Sequence, residues 1–204
     1  ASRPPESNGA RMARLPLAIP VGLCGLLADT AVVNPVYAVD DAWGDTVDLL
    51  TWHIYPTAGT GSEEDALATI GEPERWFAHY RKMWADPVRN PLGHAREVKY
   101  AMTEYGLSWS TNNARYLADM PAAMFAAESA LRMAREGLDA AYYFAYQGMG
   151  FHGLLDMTGV PRPSYYGFRM INPLKGRFVP VAPEDAGVWA HAVLDGKKLS
   201  VVLM

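Results

Sequence analysis

The sequence predicts an α/β fold built on a parallel sheet, and three observations carry that expectation. Strand-like and helix-like stretches alternate along most of the 204 residues, a pattern that winds strands parallel with helices as the crossovers. The strand-like runs close sharply, as VDLLTWHIY (47–55) does at Pro56. Near the end the pattern switches to an antiparallel hairpin. Four strand–helix units are half of a (β/α)8 barrel, which typically needs ~250 residues. A small doubly wound sheet is the alternative, without a nucleotide fingerprint, because Gly22-x-x-Gly25 lacks the three-glycine spacing.

Residues 1–11 are polar and rich in turn formers, and read as a loop. Leu15 to Leu23 is a short apolar run interrupted by Pro16 and Pro20, which reads as a buried strand. Preceded by Met12-Ala13-Arg14, the same run also has the make-up of an export leader. Its prolines, and the residues ahead of Met12, favour the strand. Residues 47–55 are aliphatic, β-branched and aromatic, and make the clearest strand.

After the loop at 57–61, Ser62 is the expected N-cap of a helix that opens with Glu63, Glu64 and Asp65, acids suited to a positive helix N-terminus. Apolar residues continue through Trp76, Phe77, Tyr80 and Trp84, with Gly71-Glu72-Pro73 dividing the segment. VKYAMT (98–103) is the next strand. The best amphipathic helix is expected over 113–136, with Leu117, Met120, Met124, Ala127, Leu131 and Ala134 on one stripe and Gly137 as its stop. Pro121 either kinks it or marks its true first turn. Then come a strand over 139–146, a glycine-rich loop at 148–153 and a short helix over 164–174. VWAHAV (188–193), a turn at Asp195-Gly196 and residues 198–204 form the hairpin.

Composition narrows the function. The hydrophobic fraction of 50% and charged fraction of 20% are globular proportions, and the net charge of −4 offers no basic footprint for nucleic acid. One cysteine, Cys24, excludes an intrachain disulfide framework, and the five histidines show no paired-ligand spacing, so no metal and no cofactor are expected. No stretch approaches the ~20 apolar residues of a membrane span. Ser108 and Ser110 lack a nucleophile elbow.

In a parallel α/β barrel, functional groups gather at the C-terminal ends of the strands. Glu104, closing an apolar strand ahead of Tyr105-Gly106, is the sharpest candidate. It is either a carboxylate aimed into a cleft, able to attack an anomeric carbon or act as a base, or a glutamate tied to a loop backbone or an arginine. His53 and Tyr55 share one strand parity and so point the same way, with Trp52 and Ile54 opposite. They either reach a carboxylate or sugar hydroxyl, or pack at the mouth of the sheet. Tyr142, Phe144 and Tyr146 share a face as well, and Tyr146 and Gln147 lie nearest the active end.

The order VDLLTWHIYP, KYAMTEYG and GLLDMTGVPRPSYYGF resembles the second half of the clan A glycoside hydrolases. The likeness is closest to the β-xylosidase and α-L-iduronidase family, with the α-L-arabinofuranosidases as near relatives. His53, Tyr55 and Pro56 match that family's sixth-strand end. Thr103, Glu104 and Gly106 match the seventh, where the glutamate is the nucleophile. Gly153 to Asp156, Gly159, Pro161, Arg162, Pro163 and Tyr165 match the stretch after the eighth.

The resemblance implies a partial (β/α)8 barrel, about strands 5 to 8, over residues 1–178, and the start of a C-terminal β-sandwich over 179–204. It implies retaining hydrolysis of O-glycosidic bonds with Glu104 as nucleophile, and a carbohydrate-binding lining of His53, Tyr55, Tyr105, Tyr146 and Gln147. Two departures stand out. Phe144 or Tyr146 replaces the tryptophan usual late in the eighth strand. The acid/base glutamate, usually in an Asn-Glu pair, has no counterpart here, so it is assigned to the missing N-terminal half of the barrel, the expected partner. Asp29, Asp40 and Asp41 are the fallback acids. A non-catalytic carbohydrate-binding or scaffold remnant is the alternative, and a secreted or periplasmic location is slightly favoured.

Overall fold

A computed structural model of the chain describes residues 22–25, 47–59, 61–91, 93–110, 115–182 and 187–204. The expected loop at 1–11, most of the strand at 15–23, and Asp29, Asp40 and Asp41 lie outside the described residues.

Seven strands and four α-helices are described. A parallel sheet is formed by β1 (Gly22–Gly25), β2 (Leu49–Ile54), β3 (Lys99–Tyr105) and β4 (Ala140–Tyr143), neighbours in that order. Spatial order follows chain order, without the reversal of a doubly wound sheet. The crossovers carry α1 (Glu63–Ala68) and α2 (Glu72–Trp84), then α3 (Met120–Arg135), while α4 (Pro163–Ile171) follows β4. A second, antiparallel sheet holds β5 (Arg177–Val179), β6 (Ala190–Asp195) and β7 (Lys198–Leu203) in the order β5-β6-β7. The short β5 is absent from the sequence reading, and it straddles the boundary expected at 178.

The core lies between the parallel sheet and its helices. Trp52 and Ile54 of β2 and Met102 of β3 are buried there with Phe77, Tyr80 and Met83 of α2 and Phe125 of α3. Trp52 stacks on Phe77 at 5.9 Å between ring centroids. Burying each such apolar side chain is worth roughly 1.5–3 kcal/mol, against ~1 kcal/mol for a helix cap. Packing therefore sets the layers, and caps set where the helices begin.

Ser62 caps α1 as expected, its hydroxyl accepting from the Asp65 amide while Asp65 accepts from the Ser62 amide. α2 is a separate helix with Pro73 in its first turn.

The long helix is shorter than its apolar stripe predicts. α3 starts at Met120, capped by Asp119 and with Pro121 in its first turn, where a missing N–H leaves no hydrogen bond unmade. A 3-10 turn, Arg115–Ala118, precedes it. Its end follows the sequence: Leu138 donates to the Met133 carbonyl and Gly137, at φ +86°, to that of Ala134.

β4 stops at Tyr143, not at residue 146 as expected. Beyond it the Ala145 and Tyr146 carbonyls accept from Leu154 and Leu155, so the backbone pairs with its own returning loop. α4 ends at Ile171, not at 174: Asn172 keeps helical backbone angles as the cap, but Pro173 has no N–H with which to continue the hydrogen-bond ladder. It crosses α3 closely at Gly167, where a Cβ would stand 2.9 Å from the Ala123 carbonyl oxygen.

Candidate active site

The ends of β2 and β3 meet because the strands run parallel and side by side, with His53 opposite Glu104 and Ile54 opposite Tyr105. Trp52, however, pairs with Met102, so Thr103 is an extra residue on β3. The register with β4 is interrupted over the same stretch. This bulge decides where Glu104 points. Strict alternation would put Met102 and Glu104 on one face; the extra residue sends Met102 and Tyr105 into the helix-side core and leaves Glu104 on the other side. The Thr103 hydroxyl donates to the Trp52 carbonyl at 3.3 Å, tying the irregular turn of β3 to its neighbour.

On that other face the Tyr55 hydroxyl donates to Glu104 Oε2 at 2.6 Å, and His53 Nδ1 stands 3.5 Å from the same oxygen. The Glu104 side chain is about one-third exposed (36%), which keeps a carboxylate oxygen accessible. Burial, reinforced by the hydrogen bond to Glu104 and the charge on it, pushes the Tyr55 phenol well above its ordinary value of 10.0. Tyr55 is therefore a neutral donor at any pH at which the fold operates.

Gly106 makes this contact possible. A Cβ there would lie 3.2 Å from Tyr55 Cε1 and 3.4 Å from the Phe144 carbonyl oxygen. Phe144 adds an edge-to-face ring contact at 6.1 Å, so Tyr55 is held between β3's exit and β4's exit.

The loops beyond the strands are pinned to one another. The Thr57 hydroxyl donates to the Leu107 carbonyl at 2.6 Å, and the Trp109 amide to the Thr57 carbonyl at 3.3 Å. His152 Nε2 donates to the Ser110 carbonyl at 3.0 Å and its ring meets Phe144 at 6.0 Å. Three strand ends thus share one rim around Glu104.

Of the residues singled out in the sequence, His53 and Tyr55 are brought onto Glu104, with Trp52 and Ile54 buried on the opposite side. Tyr105 must be corrected. It is buried at 1% exposure and donates to the Ala126 carbonyl of α3 at 3.2 Å, so it is a core residue and does not line the cleft. The bulge gives Tyr105 the helix-facing phase and Glu104 the other.

Tyr146 and Gln147 are exposed on the loop after β4. The Gln147 side-chain amide donates to the Asp156 carbonyl at 3.0 Å, which braces that loop. Thr57, Ser110 and His152, which frame the rim, went unrecognised in the sequence. They act through backbone carbonyls, and such contacts leave no motif.

Among the described residues no group of three His, Cys, Asp or Glu side chains is placed to hold a metal ion, and no helix is long and apolar enough to cross a membrane. A cleft of about 600 Å3 lies away from Glu104, between α3, α4 and the antiparallel sheet. Its walls are mainly apolar, with Leu131, Phe168 and Phe178 among them, and Arg169 is their only charged side chain.

No protein-family model matches the sequence, and no curated protein matches it. Solved structures do resemble the fold. An α-L-arabinofuranosidase from Thermotoga maritima, in complex with arabinose, superposes with a TM-score of 0.70 at 17% identity over 96% of this chain and 45% of that one. A β-xylosidase from Caulobacter crescentus gives 0.59 at 20% identity, over 90% of this chain and 38% of that one. An arabinofuranosidase from Xanthomonas axonopodis pv. citri gives 0.56 at 18% identity, over 80% and 41%. The chain spans less than half the length of each. In fold, the chain is like these clan A, TIM-barrel glycoside hydrolases over most of its own length.

Proposed function

We propose that this chain is the nucleophile-bearing part of a retaining glycoside hydrolase, with Glu104 as the nucleophile. The observation that carries the reading is the double contact of Tyr55 and His53 on one oxygen of Glu104, at the C-terminal ends of adjacent parallel strands. That is where a parallel barrel keeps its chemistry. The parallel sheet corresponds to about strands 5 to 8 of such a barrel, and the antiparallel sheet to the beginning of a β-sandwich.

Both contacts engage Oε2, so Oε1 is the oxygen that attacks. It forms a bond to the anomeric carbon as the glycosidic C–O bond breaks, and the leaving oxygen takes its proton from a general acid. Water then attacks the same carbon, giving up a proton to the residue that acted as acid in the first step, and the carbon–Oε1 bond breaks to restore the carboxylate. The acid belongs to a part of the barrel beyond the described residues and stands ~5–5.5 Å from Glu104, the separation retention requires. Tyr55 and His53 fix the carboxylate so that Oε1 faces the sugar, while Phe144, Tyr146 and Gln147 line the rim. The substrate is a carbohydrate.

The test is covalent trapping in the complete protein. A slow 2-deoxy-2-fluoro glycoside with an activated leaving group should leave one sugar on the peptide that contains Glu104, read by mass spectrometry. A label on another carboxylate, or inversion at the anomeric carbon in product analysis, refutes the assignment.

A further inference from the structure

A second carboxylate lies deep in the molecule, midway along α3. Glu128 sits mid-helix at 1% exposure, and mid-helix burial of an acid requires partners. Its Oε2 accepts from His191 Nε2 of β6 at 2.7 Å, and His191 is itself 3% exposed. Its Oε1 accepts from Arg132 Nε at 2.6 Å, one turn along α3. Arg132 in turn reaches Glu74 of α2 at 3.4 Å, and Arg135 holds the other oxygen of Glu74 at 2.9 Å. The Arg132 guanidinium lies over the Trp189 ring at 5.9 Å, and Phe178 of β5 meets the His191 ring at 6.4 Å. The charged or titratable groups facing the pair are thus Arg132 on α3 and, one step out, Glu74 on α2 and Arg135 on α3; β5 presents only an aromatic ring.

We propose that Glu128, His191 and Arg132 form a latch that fastens the antiparallel sheet to α3 and is released when Glu128 takes up a proton. An ionised carboxylate accepts from both neighbours at once, whereas a protonated one must turn a donor toward an arginine or a histidine. The contact joins β6 to α3 and includes no residue of the parallel sheet, so releasing it frees β5, β6 and β7 without breaking that sheet.

The direction of the pH effect follows from the balance at Glu128. Burial works to raise it, but the hydrogen bonds and charges of His191 and Arg132 outweigh burial and hold it below its ordinary value of 4.5. A carboxyl lowered by folding stabilises the fold above its unfolded value, and that contribution is lost as pH falls through the folded one. The latch is closed near neutrality and opens below pH 4.5.

Hydrogen exchange on the full chain, corrected for the intrinsic pH dependence, tests it without assuming any activity. From pH 7 to pH 3.5, protection of the β6 and β7 amides should fall by up to about tenfold, the most that one carboxyl with an unfolded value of 4.5 can lose over that range, while β2 and β3 stay protected. Glu128→Gln, which keeps the shape and removes the charge, should show the same selective loss already at pH 7. If that variant does not fold, His191→Gln and the wild-type pH series decide the matter. Equal loss in both sheets, or β6 and β7 protection that ignores pH or is intact at pH 7 in either folded variant, overturns the latch.

Discussion

Tyr55 donates its phenolic hydrogen to Glu104 Oε2 at 2.6 Å across the gap between adjacent parallel strands. The contact belongs neither to a helix cap nor to an ion pair. A hydrogen bond to a charged group contributes ~1.5–3 kcal/mol, and this one fixes which carboxylate oxygen is committed to the protein. The other oxygen, on a side chain about one-third exposed, is left for chemistry.

Glu104→Ala in the complete protein should lose nearly all hydrolysis, because the first covalent step has no nucleophile. Added azide should restore turnover of activated substrates by occupying the vacated space, with inverted product. Near-normal hydrolysis by the variant would remove Glu104 from the mechanism.

Tyr55→Phe should leave the fold intact and lower kcat by about 10- to 100-fold, the kinetic equivalent of one hydrogen bond to a charged group. KM should change little, since the phenol acts on Glu104. A variant with wild-type kcat would show that the hydrogen bond plays no part in placing the carboxylate.

Gly106→Ala should reproduce much of the Tyr55→Phe loss, because its new methyl meets the Tyr55 ring at 3.2 Å and a backbone oxygen at 3.4 Å. Two changes acting on one contact are not additive. The double variant should therefore be scarcely slower than the worse single one. A product of the two losses, measured as kcat, would mean that Gly106 acts on something else.

The alternation of strands and helices was legible because periodicity is local, and the shared face of His53 and Tyr55 followed from strand parity. By the same parity Tyr105, next to Glu104, takes the opposite face; what could not be read was which of the two faces the core, and that is decided by a neighbouring strand. Thr103 is an extra residue on β3 only relative to β2 and β4, and no property of KYAMTEY announces it. Glu128 was hidden for a similar reason. In the sequence it is one polar residue in an alanine-rich helix, and its partner His191 is 63 residues away on another sheet. Pro121, by contrast, left two readings open, and Asp119 just ahead of it supplied the cap that decides between them.

The alkaline limit of the fold should be set by its tyrosines. Burial pushes Tyr100 and Tyr143 up to about 12, and raises Tyr55, Tyr80 and Tyr105 well above their ordinary value of 10.0 as well. In the unfolded chain the same groups ionise near 10. A group whose folded pKa is raised contributes stability that is complete below the unfolded value and is lost as pH climbs past it. Above pH 10 the unfolded chain therefore gives up protons that these five tyrosines still hold in the fold, at ~1.4 kcal/mol per pH unit for each group while the difference lasts. The Tm should be nearly flat up to pH 9 and fall steeply between pH 10 and 12. The phenolate absorbance that belongs to these five tyrosines, out of eleven in the chain, should rise together with unfolding, not ahead of it. If these tyrosines ionise fully while circular dichroism still reports the folded chain, their burial is not what resists the alkali, and the neutral Tyr55 donor on Glu104 would have to be abandoned with it.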